Sequence, residues 1–224
     1  MSEQVVPAFL PSSHGLHFAN RYPPGPTVKF GPIDPRWFGG LGDASHGLCG
    51  GMCFSVRDML EAGVGVPPDR EPPANGSPRF KSIVRRQVES LDYLRLPLRF
   101  YVRCALGVRF GRDLARSTFE QEWPKIRREI DEGRLAMLGL IRIAGVNPFK
   151  LTTNHQVIAY GYAEDGRGVT LRLYDPNWPD NDTVTARLHL DPALRPTSLE
   201  QSTGEPLLGY FSAPYRFADP RAWR

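Results

Sequence analysis

Gly133 divides the sequence into two kinds of patterning. Before it, apolar residues recur at helical spacing: Met52, Val56, Met59 and Leu60 in one stretch, then Phe80, Ile83, Val84, Val88 and Leu91, then Phe119, Trp123, Ile126 and Ile130. After it, LAMLGLIRI, HQVIAYGY and VTLRLYD are short runs rich in β-branched and aromatic residues separated by turn residues, and TARLHL and LLGYFSA offer two more. Helices first and strands joined by short turns afterwards predict an α+β fold, in which a helical part packs on an antiparallel sheet.

Local signals refine the outline. Gly63 is a natural stop for the first helix, and VPPDREPPANGSP (66–78) is a loop by composition. A shorter helix is expected around residues 97–106. Ser117 and Glu120 fit a capping box for the last helix, with Pro124 as the alternative start. Residues 1–44, rich in proline and glycine, read as an irregular arm wrapped on the domain and anchored by Trp37 and Phe38. The expected organisation is one domain over 1–224: the arm (1–44), a mainly helical part (45–133) and a β part (134–224).

Composition limits the classes of function. With 224 residues, 41% of them hydrophobic, the chain can bury a full core, and no apolar run approaches the roughly 20 residues of a membrane span. The first residues show neither a basic start nor a continuous apolar core, so no secretory signal is expected and the chain reads as cytoplasmic. The net charge of +4 is spread over isolated arginines, which does not form the basic stripe of a nucleic-acid binder. Three cysteines, Cys49, Cys53 and Cys104, are too few for a disulfide framework and in a reducing compartment remain thiols.

Two of those thiols lie in SHGLCGGMCFSV (45–56), where the first helix begins. Unpaired N–H groups and the positive end of the helix dipole favour a thiolate there. Cys49 occupies that position, and Gly50 and Gly51 leave the first-turn amides open to a substrate carbonyl. Cys53 falls one turn further in, on the apolar stripe with Val56 and Leu60, where a cysteine behaves as a small hydrophobe.

A partner for Cys49 comes from NHQVIAYGYAEDGRGVTLRLYDPNWP (154–179). Glu164-Asp165-Gly166 suits a three-residue hairpin loop that pairs Ala163 with Arg167, Val157 with Leu173 and His155 with Asp175. Opposed side chains at that register let a carboxylate hold one imidazole nitrogen and aim the other. A slip of one residue would turn Asp175 to the other face, and Asn177 would then be the next candidate to orient the ring.

GLCGGM at a helix start, NHQVIAYGY and LYDPNWP together resemble the papain-like cysteine peptidase superfamily, closest to the bacterial branches that process bacteriocin leader peptides or act as effectors. The resemblance covers about residues 45–62 and 133–179. It implies a papain-like fold, Cys49 as nucleophile, His155 as general base, Asp175 as orienting acid, a thioester acyl-enzyme, no cofactor, and a peptide or protein substrate. The family's glutamine about six residues before the nucleophile is here Asp43, which cannot donate when ionised, and Ser45, His46 or backbone N–H groups are the candidates to replace it. Papain-like enzymes can carry a second cysteine shortly before the nucleophile, which makes Cys53 the runner-up. The same triad serves acyl transfer to amines, as in transglutaminase-like and acetyltransferase-like enzymes, or deamidation. An inactive member would bind a peptide or protein only.

Other motifs have less to support them. His14 and His17 with Cys49 and Cys53 lack the tight spacing of a zinc knuckle, and DPNWPDND lacks the central glycine and terminal glutamate of a calcium loop, so no metal is expected. No Walker A, GxGxxG or GxSxG motif occurs.

Overall fold

The computed structural model describes residues 2–25, 43–91, 102, 111–143 and 155–223. Trp37, Phe38, Cys104 and, apart from residue 102, the helix expected around 97–106 lie outside these residues. Among the described residues the fold is α+β: a seven-stranded antiparallel sheet with helices packed against it. Among the described residues, no helix is long and apolar enough to cross a membrane.

The strands are β1 (Ser2–Val5), β2 (Ala136–Ile141), β3 (His155–Glu164), β4 (Gly168–Tyr174), β5 (Thr185–Leu190), β6 (Pro196–Gln201) and β7 (Gly209–Ser212). Their order is β6-β5-β4-β3-β2-β7, with β1 paired to the far end of β3. Five follow the apolar runs read from sequence. The other two depart from it. Ser2–Val5 pairs with β3 although the arm was expected to be irregular, because four residues are too few to show alternation. β6 is largely exposed and opens on a proline, a residue tolerated at the start of an edge strand.

Helix α1 is a single turn, Pro11–His14; α2 spans Cys49–Glu61 and α3 Pro78–Ser90. Gly63 follows α2 with φ +62°, and Ser77 caps α3 by accepting the Phe80 N–H. The capping box at Ser117 does not form. Instead α4 (Gly111–Ser117) runs through a π turn at Thr118–Glu122 into α5 (Trp123–Asp131). Pro124 has no N–H and its ring would crowd the carbonyl four residues back, so the helix widens ahead of it, and the Trp123 N–H reaches Thr118 O five residues back. Glu120 pairs with Arg116 instead of closing a cap.

Helix α2 packs on β3 and α3, and its side chains Met52, Cys53 and Val56 join Val157, Ile158 and Leu173 of the sheet in one core. A buried polar cluster ties the C-terminal segment to these helices. The Arg86 guanidinium grips both oxygens of Asp58, at 2.7 and 2.9 Å, with the two side chains 1% and 0% exposed. The Tyr215 hydroxyl (2.7 Å) and the Ala218 N–H (3.1 Å) also donate to Asp58, and Arg86 donates to Arg216 O (2.7 Å).

The β3–β4 hairpin departs from the expected register. Its loop is two residues, Gly166-Arg167, since the Asp165 N–H reaches Gly168 O and Glu164 pairs with Val169. Gly166, at the first loop position, has φ +72°, as primed turns require. Continued unbroken, this register would put Asp175 and His155 on opposite faces. A β-bulge intervenes: Ala159 pairs with Leu173 and Gly161 with Arg172, leaving Tyr160 as the extra residue. One step beyond the last pair, Ile158 with Tyr174, Asp175 lies opposite Val157, so His155 is its diagonal neighbour on the same face.

Candidate active site

Cys49 is the first residue of α2, partly exposed, at the end of the helix that meets the start of β3. His155 is the first residue of β3 and Asp175 directly follows β4; they are 4% and 0% exposed. The His155 Nε2 lies 2.6 Å from Asp175 Oδ1, and the Cys49 thiol and the His155 ring are electrostatic partners, each shifting the titration of the other. With Nε2 engaged by the carboxylate, Nδ1 is the nitrogen left for the thiol. Three residues separated by 106 and 20 positions in sequence thus come together at one place in the fold.

Asp175 is held at both oxygens. Oδ1 also accepts the Asn177 N–H (2.9 Å), while Oδ2 accepts from Gln201 Nε2 (3.1 Å) and lies 3.7 Å from the Arg142 guanidinium. Arg142 in turn pairs with Glu205 at 2.8 Å through two nitrogens. Asn177 therefore supports the carboxylate through its backbone, and it is Asp175 that meets the ring. Gln201 and Arg142 escaped the sequence reading. Gln201 sits on the unrecognised edge strand, and Arg142 is a lone cation at the end of an apolar run.

The electrostatics follow from these contacts. Burial alone would raise the Cys49 thiol, but the hydrogen bond and charge of His155, with the N–H groups of Gln156 and Gly50, hold it below the ordinary thiol value. Burial works against a charged His155, yet the Asp175 carboxylate and the Cys49 sulfur raise it to about 10. Burial would raise Asp175, and His155, the Asn177 N–H and Arg142 hold it down. Each of these contacts favours the charged form of its group: the thiol is lowered, the imidazole raised and the carboxyl lowered.

That linkage predicts a pH dependence of stability, measurable in a Cys49→Ala background where no thiol titrates beside the ring. A histidine raised above its unfolded value near 6.5 contributes stability that is complete below that pH and lost as pH rises through its folded value. The midpoint for urea unfolding should therefore fall between pH 6.5 and the folded value, and a further His155→Gln change should flatten that slope.

Cys53 occupies a different environment. It is fully buried, its sulfur donates to Gln156 O at 3.5 Å, and burial first, then the nearby Cys49 and Asp175 charges, push its thiol well up. The glycines serve packing more than access. A Cβ on Gly50 would lie 2.2 Å from Ser90 Oγ, and one on Gly51 2.2 Å from Ile83 O. The Gly51 N–H is already donated to Gln87 Oε1 at 2.8 Å, so it is not open to substrate as the sequence suggested. Ser45 and His46 are exposed on a short 3-10 turn, Ala44–His46, and the Ser45 N–H is spent on Asp43 at 2.8 Å. Asp43 also accepts the Gly25 N–H, and these bonds, that from Ser45 foremost, keep its carboxyl below the usual range, an acceptor only.

The residues weighed as metal ligands are engaged elsewhere: His17 Nδ1 lies 2.5 Å from Asp180, and Asp182 accepts from Ser12. Two cavities among the described residues, one between α2, α3 and the loop after α2, the other beside Arg57, Glu129 and Tyr215, do not touch Cys49. No family model, curated protein or solved structure matches this chain.

Proposed function

We propose that this chain is a cysteine-dependent hydrolase of papain-like type that cleaves a peptide or isopeptide bond in a peptide or protein substrate. The observation that carries the reading is the convergence of Cys49, the partly exposed first residue of α2, with His155, whose ring is held 2.6 Å from Asp175 and is coupled electrostatically to the thiol. The thiolate adds to the carbonyl carbon and the imidazolium of His155 gives its proton to the leaving amine, so a thioester forms as the C–N bond breaks. Water, deprotonated by the now neutral His155, then releases the acid and restores the thiolate. Asp175 keeps the ring in place throughout and stabilises its charged form.

The test is alkylation by iodoacetamide across pH, with the modified cysteine mapped by mass spectrometry. Cys49 should be modified well below pH 7 in the wild-type protein, and His155→Ala should move its profile up toward an ordinary thiol. A wild-type profile that rises only above pH 8 would remove the nucleophile and leave a protein that binds without catalysis.

A further inference from the structure

We propose that Asn20 donates a side-chain N–H to the carbonyl oxygen of the bound substrate and, with the Cys49 N–H, forms the pair of donors that receives the oxyanion. The inference rests on the reading of Cys49 as the nucleophile. When a thiolate adds to a carbonyl, the C–S bond forms and the π pair moves onto oxygen, so fixed donors are needed where that charge appears. The helix start supplies one. Among the described residues the Cys49 N–H has no acceptor, whereas the Leu48 and Gly51 N–H groups are bound to Asn20 and Gln87, and that of Gly50 helps to lower the Cys49 thiol.

A second donor is not provided by Asp43, which only accepts. Gln156 is 3% exposed, with its amide donating to Ser90 against Gly50, in the interior between α2 and α3. Asn20 is placed otherwise. It is partly exposed, and its Oδ1 accepts the Leu48 N–H at 2.6 Å, one residue before the nucleophile. Because a backbone N–H can only donate, this contact fixes which end of the amide is oxygen. Nδ2 then faces the turn after Asp175, where Asn177 Oδ1 takes one hydrogen at 3.3 Å, and the second has no acceptor among the described residues. Gly47 makes room for this group, since a Cβ there would lie 2.5 Å from Nδ2. The Asn20 backbone is tied to Pro176 O at 2.9 Å, and the buried rings of Phe18 and Tyr22 flank it. A rigid amide with one unspent N–H thus bridges the turn that carries Cys49 and the turn that follows Asp175.

Two reagents separate this role from a structural one. Acylation by p-nitrophenyl acetate passes through an oxyanion; alkylation by iodoacetamide at a saturated carbon does not. Asn20→Ala should slow acylation by about 10²- to 10³-fold while leaving the plateau rate of Cys49 alkylation within about twofold. Asn20→Asp keeps an acceptor for the Leu48 N–H but lacks the donor, so it should show the same split with the helix entry intact. If both rates fall together in the two variants, Asn20 only holds the site in shape and the proposal fails. It fails equally if neither rate changes. Absence of low-pH alkylation in the wild-type protein is a separate result, which overturns the nucleophile itself.

Discussion

Cys49→Ala is expected to abolish acyl-enzyme formation from p-nitrophenyl acetate, a loss of about 10⁴-fold or more, while the protein melts as the wild type does. Cys49 is the partly exposed first residue of α2 and is not among the buried residues of the core, so its truncation should cost little stability. Cys53→Ala should give the opposite pair of results. Its thiol is fully buried, so truncation should cost about 1 kcal/mol of stability, read from denaturant unfolding, and leave acylation intact. Acyl groups mapped to Cys53 in the Cys49→Ala protein would reverse the assignment.

The largest loss of stability is expected from Asp58→Ala, about 3–5 kcal/mol, because it removes the fully buried carboxylate that takes two of the Arg86 N–H donors, while the Glu89 carboxylate that also pairs with Arg86 is partly exposed. It also strips acceptors from the Tyr215 hydroxyl and the Ala218 N–H, so limited proteolysis should cut the C-terminal segment first. Arg86→Met should be milder than Arg86→Ala, since the methionine refills the space over the Phe54 ring. Equal melting of Asp58→Ala and wild type would show that the cluster contributes no net stability.

The sequence made the fold class legible because helical and strand periodicities occupy different halves of the chain. It lost the elements whose signal is not periodic: β1 is four residues long, β6 is an exposed edge, and the π turn before Pro124 answers to a missing N–H. Cys49, His155 and Asp175 stood out because a thiol at a helix start and a histidine and carboxylate on paired strands leave local marks. Asn20 and Gln201 left none. Asn20 lies in a stretch of irregular composition, 29 residues before Cys49, and Gln201 is 26 residues past Asp175. Their place at the site exists only after the chain has closed on itself.

The bulge at Tyr160 also sets a parity rule for this hairpin. Across a two-residue turn, directly opposed residues differ by an odd number, as 165 and 168 or 164 and 169 do. His155 and Asp175 differ by 20, an even number, so a tight turn alone cannot bring them to one face. One unpaired residue must be placed somewhere between them, either within a strand or in the turn. Here it is Tyr160; a three-residue turn on an unbulged hairpin is the other solution. The two are interchangeable, so deletion of one residue at the bulge together with insertion of one at Gly166 preserves the pairing that neither change preserves alone.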